Sequence, residues 1–170
     1  MSGTPHEPSH RWGAVLWLAM LAVIAVCAAG TYEHVVIVPV WTEAPPDSLS
    51  MFHGPYRIDT GRWWRVVHIP TLLLIVAAFL LVRGRPRRRF VGAAVFGYGL
   101  VLAVTVGWFL PELVALTGDP AATIAQQEWR GRAQRWEVAS LVRLAVMYVN
   151  AGLLVWAASA APARRLELAA

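Results

Sequence analysis

Four apolar stretches, each about 20 residues or slightly longer, set what this chain can fold into: 13–41, 64–82, 90–110 and 138–160. A hydrocarbon core about 30 Å thick is crossed by a helix of about 20 apolar residues. In lipid, every backbone N–H and C=O must be satisfied within the chain, which leaves helices and closed barrels. The stretches lack the alternation of barrel strands, so they predict helices. The chain has 170 residues, 58% of them hydrophobic, and little is left over for a soluble domain. The expected fold is all-α: an integral membrane four-helix bundle over 12–161, with two longer extracytoplasmic loops. A disordered cytoplasmic tail is expected at 1–11 and a second cytoplasmic tail at 162–170.

The net charge is +5, and every basic residue is an arginine. These arginines flank the apolar stretches instead of lining a soluble face, so the charge points to a lipid bilayer and away from nucleic acid. Five of them fall within 83–89, between the second and third stretches. Short arginine-rich loops stay in the cytoplasm. With four spans, this places both termini in the cytoplasm and both long loops outside. The first stretch could also be read as a cleaved signal peptide with Ala28 and Ala29 at its cleavage site. The apolar run resumes at Val35, however, and cleavage would orphan it. The single cysteine, Cys27, lies inside the first stretch and has no partner. No internal repeat or low-complexity segment is evident.

Ionisable residues inside these stretches are the candidates for function, because each costs roughly 2.5–3.5 kcal/mol to insert. Glu33 and His34 stand side by side near the outer end of the first helix. Pro39, just beyond them, is expected to end or kink that helix. His68 lies near the outer start of the second helix, with Pro70 in its first turn. In the third, Tyr98, Thr105 and Glu112 recur at sevens and share a stripe with Trp108. In the fourth, Trp136, Ser140, Arg143, Met147 and Asn150 follow a four–three–four–three spacing along one face. An arginine on the lipid face would be costly, so this stripe is expected to face the bundle interior, with Arg143 approaching Glu33 or His68. A buried Glu33–Arg143 ion pair that only fixes helix register would also explain these charges. The tryptophans at the outer level read first as an interfacial belt, and alternatively as walls of a binding pocket. The segment 51–56 is aromatic enough to lie on the bilayer surface or to fold back and close such a pocket, and 121–135 reads as a short amphipathic helix in the second long loop.

Three motifs carry a family resemblance: Tyr-Glu-His-Val-Val-Ile-Val-Pro-Val-Trp from Tyr32, Gly-Arg-Trp-Trp-Arg-Val-Val-His-Ile-Pro from Gly61, and Arg-Trp-Glu-Val-Ala-Ser-Leu-Val-Arg from Arg135. Together they resemble the anthrone oxygenase-like family of small four-helix membrane proteins, formerly a domain of unknown function. The resemblance covers most of 30–156. It implies oxygenation of a phenolic tricycle to a quinone without metal or flavin. The matching motifs centre on Glu33, His34, Pro39, His68, Trp136 and Arg143.

The reading is a cofactor-independent oxygenase of lipophilic, anthrone-like phenols, with the substrate and oxygen as partners. Its catalytic candidates are His68, His34, Arg143 and Glu33. Tyr32, Trp64, Trp108, Trp136, Ser140, Met147 and Asn150 would line the pocket. A base, a cation to hold the anion formed and an apolar wall are the parts such chemistry needs. No cofactor or metal is expected. The alternatives are a carrier of haem b or quinone with His34 and His68 as axial ligands, and a non-catalytic membrane subunit or transporter.

Overall fold

A computed structural model describes residues 9–82, 85–118 and 124–159, with side chains from Gly13 onward and excluding those of 85 and 86. Most of the first expected tail, all of the second and part of the arginine-rich turn lie outside the described residues. The described chain is helical, without strands. Helix α1 is Ser9–Tyr32, followed by a π-helical turn, Glu33–Ile37, and α2, Val38–Glu43. A 3₁₀ turn spans Asp47–Phe52, and α3 is Thr60–Leu81. Helix α4 is Arg85–Val104, followed by a second π-turn, Thr105–Phe109, and α5, Leu110–Thr117. Helix α6 is Gln126–Ser159.

These elements form four helices long and apolar enough to cross a membrane: Gly13–Glu43, Thr60–Leu81, Arg87–Thr117 and Gln126–Ser159. Each span packs on the next, and the fourth closes against the first. Large apolar side chains such as Leu21, Ile24, Val66, Leu73, Phe96 and Val149 point outward. That suits lipid and would not suit water. The chain is a multi-pass, all-α membrane bundle with both long loops at one end, here called the loop end.

Several elements differ from the sequence-based expectation, each for a local reason. Helix α1 starts at Ser9, three residues inside the expected tail. Pro39 does not end the first helix. The Val38 N–H reaches back five residues to the Glu33 carbonyl, and the helix resumes with Pro39 in its first turn. The π-turn absorbs the ladder bond a proline cannot make. Pro111 repeats the arrangement after the second π-turn, where the Leu110 N–H reaches the Thr105 carbonyl. Pro70 is inside α3, not in its first turn. The helix starts earlier, at Thr60, because the Asp59 carboxylate caps it by accepting from the Arg62 N–H at 3.0 Å. Of the short helix expected at 121–135, residues 126–135 are instead the beginning of α6, and 121–123 lie outside the described residues. The 34 residues of α6 amount to about 51 Å at 1.5 Å per residue, so its first turns project past the bilayer core.

Two cores hold the bundle. The main one fills its middle with Leu16, Val23, Ile75, Ala78, Val91, Ala94, Met147, Leu154 and their neighbours. The second, at the loop end, is aromatic: Trp41, Phe109, Trp129 and Trp136 are buried together with Leu49 and Leu116. Trp41 meets Trp129 and Trp136 edge-to-face, each at 5.8 Å between ring centroids. These tryptophans are therefore packing residues, whereas Trp17, Trp63 and Trp108 are exposed. Their N–H groups also satisfy the third span. Trp129 donates to the Leu116 carbonyl and Trp136 to the Phe109 carbonyl, each at 3.0 Å. Ser48 closes the first span by donating to the Trp41 carbonyl at 2.8 Å. Met51 and Phe52 pack on this core and Tyr56 is fully exposed, so the first half of the 51–56 segment does lie over the loop end.

The third and fourth spans are clamped at the loop end by Glu112, whose carboxylate accepts two bonds from Arg132 at 2.8 and 2.7 Å. Both side chains are mostly shielded, at 19% and 23% exposure, so this pair has more effect than a surface ion pair. A hydrogen bond to a charged group contributes about 1.5–3 kcal/mol. Glu112→Gln is expected to lower the thermal midpoint in detergent by several degrees. Arg65→Ala, which removes only an exposed pair with Asp59 at 3.8 Å, is expected to leave it unchanged.

Candidate polar site within the bundle

Below the aromatic core, all four spans contribute polar groups to one region. The first π-turn presents Glu33, whose carboxylate accepts from Trp64 Nε1 at 3.3 Å. The Trp64 ring lies over the His68 imidazole, with centroids 5.4 Å apart and planes 21° from parallel. His68 Nδ1 is 2.7 Å from the Tyr98 hydroxyl on the third span. Thr71, one turn below His68, is buried, lies against that hydroxyl, and donates its own proton to the Val67 carbonyl at 2.7 Å.

The His68–Tyr98 bond can run either way. With the hydrogen on Nδ1 donated to the Tyr98 oxygen, a neutral His68 carries its lone pair on Nε2.

The second π-turn presents Thr105, and the fourth span presents Ser140 and Arg143. Arg143 donates from Nη1 to Thr105 Oγ1 at 3.1 Å and from Nη2 to Ser140 Oγ at 2.9 Å. Its Cζ sits 4.2 Å from the centre of the Phe109 ring, a cation–π contact. Arg143 is close enough to Glu33 and His68 to interact electrostatically with both. Among the described residues, however, the direct ion pairs are those of Asp59, Glu112 and Glu128, and Glu33 and Arg143 do not touch. The guanidinium is held by two neutral hydroxyls and a ring.

His34 stands slightly apart. Its Nδ1 is 2.8 Å from the Gly30 carbonyl, so Nδ1 carries the hydrogen and Nε2 the lone pair. That Nε2 is buried and has no hydrogen-bond partner. No group of three or more His, Cys, Asp or Glu that could hold a metal ion occurs among the described residues.

The remaining residues expected at a pocket fall in different places. Trp64 and Ser140 touch the charged groups as described. Trp136 belongs to the aromatic core. Met147 is in the main core, and Asn150 is buried below the site, bonding the Val146 carbonyl at 2.9 Å. Tyr32 points outward, and Trp108 is exposed at the bundle surface, edge-on to Phe109. Tyr98 and Thr105 were visible in the sequence as members of a stripe, without a role. Thr71 carried no signal beyond its place three residues after His68.

The fold and site together define a class: a four-span membrane bundle with an arginine, a carboxylate and a hydrogen-bonded imidazole gathered inside it. No family model matches the chain, and neither do any curated proteins or solved structures.

Proposed function

We propose that this bundle is a membrane-embedded enzyme that removes a proton from a lipophilic phenolic or enolic substrate and lets the anion react with oxygen. The observation that carries the reading is Arg143. A guanidinium inside a membrane span without a carboxylate in contact is costly, and an anionic ligand supplies the missing partner. Arginine stays charged at any relevant pH. Its two bonded N–H groups leave three more for a ligand oxygen. Held rigidly by Thr105 and Ser140, it stabilises an oxyanion in a site shielded from water.

His68 is the base. Its Nε2 lone pair takes the substrate proton, and Tyr98 fixes the ring and its tautomer. Trp64 keeps the imidazole in plane and holds Glu33, whose charge stabilises the imidazolium. The electron-rich anion then reacts with oxygen. One oxygen atom becomes the new carbonyl on the former CH₂ carbon, and the other leaves as water with the two hydrogens of that carbon. The resemblance to anthrone oxygenases supports this chemistry. Oxygen uptake by the purified protein with a hydroxyanthrone tests it. His68→Ala and Arg143→Gln are each expected to lower uptake by about a hundredfold or more while the protein stays folded, and full activity in both contradicts the mechanism.

A second reading rests on His34. Its buried, unpartnered Nε2 and the free Nε2 of His68 are the atoms that would bind a haem iron from two helices. Stoichiometric haem absorbance in the purified active protein would replace the first reading with this one.

The five arginines at 83–89 support an orientation with both termini cytoplasmic and the loop end outside. A fluorescent protein fused after Ala170 should fluoresce, and an alkaline phosphatase fused at Gly54 should be active. An exported Ala170 reporter would reverse the orientation.

A further inference from the structure

The two halves of the bundle correspond at a set of positions 72 residues apart. The second π-turn begins 72 residues after the first, Thr105 after Glu33, and Pro111 follows Pro39 at the same spacing. The same shift carries Trp64 onto Trp136 and Leu72 onto Leu144. Buried positions in the second span, Ile75, Ala78 and Val82, land on buried Met147, Asn150 and Leu154 in the fourth. Ala19 and Val26 of the first span land on Val91 and Tyr98 of the third, all buried. Lipid-facing residues correspond as well: Val66 with Val138, Ile69 with Leu141, Ile24 with Phe96. Packing follows suit, since the first–second contact maps onto third–fourth and second–third onto fourth–first. Each half crosses the membrane twice, so the halves are parallel repeats about an axis along the membrane normal. The identities are few, which is why the sequence reads as having no repeat.

Applied to the site, the shift maps Glu33, His68 and Thr71 onto Thr105, Ser140 and Arg143. The second set is the hydrogen-bonded unit that holds the guanidinium. The first contains the carboxylate, the imidazole and the threonine beside Tyr98. The axis that relates the two halves sets the two triads on opposite sides of it. One hairpin has become an anion holder and the other a proton acceptor.

We infer that the site spans this internal axis and takes a ligand with two polar ends, an acidic oxygen held at the Arg143 triad and a second hydrogen-bond donor held by Glu33. Glu33 suits the second role because the Trp64 N–H takes one carboxylate oxygen, and an ionised carboxylate has about four acceptor positions over its two oxygens. This rests on the proposed function, because it assumes the acidic oxygen binds at Arg143.

The test compares binding of 1-naphthol and naphthalene-1,5-diol to the detergent-solubilised full chain. The wild type is expected to bind the diol roughly tenfold more tightly, the scale of one hydrogen bond to a charged group. In Glu33→Gln, which keeps an acceptor for Trp64, the ratio of diol to 1-naphthol affinity should fall at least threefold, whatever the change in 1-naphthol affinity itself. Glu33→Ala should remove the preference. Equal binding of the two compounds by the wild type, or an unchanged preference in Glu33→Gln, overturns the two-ended site and leaves the Arg143 reading standing. If neither compound binds the wild type, both fall.

Discussion

Arg143→Gln is expected to lower turnover of a hydroxyanthrone by roughly 10²–10³-fold, the loss seen when one preorganised oxyanion donor is removed. Glutamine is a shorter side chain that keeps two N–H donors and loses the charge. The neighbours should tolerate the change. Thr105 already donates to the Val101 carbonyl at 2.7 Å, and Ser140 has a helix carbonyl within its own reach. An unchanged melting curve beside the lost activity would locate the effect in the chemistry. Arg143→Lys is expected to recover only part of the rate, because an ammonium is a point charge and cannot fork between Thr105 and Ser140 while facing a ligand. Equal rates for Gln and Arg would remove Arg143 from the mechanism.

The largest expected structural effect is at Gly97. A Cβ there would lie 2.5 Å from Asn150 Oδ1 and 3.0 Å from Nδ2. The amide cannot simply swing aside, since it is buried and bonded to the Val146 carbonyl. Overpacking of this kind costs about 1–3 kcal/mol. Gly97→Ala should therefore lower the thermal midpoint clearly. Gly99→Ala, where a Cβ meets nothing within 4 Å, should not. Asn150→Ala opens the space, so the double variant Gly97→Ala/Asn150→Ala should be more stable than the two single losses predict together. Strict additivity would mean that the third and fourth spans do not meet at this point.

Much of the fold could be read from hydropathy, because lipid admits few alternatives. Span count and the inward stripe of the fourth helix, with Ser140, Met147 and Asn150 buried, follow from length and period alone. The candidate charged residues were also legible, since Glu33, His68 and Arg143 are conspicuous in apolar sequence. Their partners were not. Nothing in the sequence says that Arg143 bonds Thr105 and Ser140 instead of Glu33, because that depends on helix rotation and on a π-turn. The π-turns themselves are invisible to a 3.6-residue period, so Pro39 reads as ending or kinking the helix. Trp41 and Trp136 read as interface residues because composition cannot distinguish a tryptophan facing headgroups from one facing another tryptophan. The repeat escaped notice because what the halves share is burial and backbone geometry more than residue identity.

The central claim is that Arg143 holds a ligand anion inside the bundle. The most direct measurement is the absorption spectrum of 1-naphthol bound to the solubilised protein at neutral pH. The account predicts the naphtholate band with the wild type and its absence with Arg143→Gln. A bound spectrum of neutral naphthol, the same in both proteins, would contradict it.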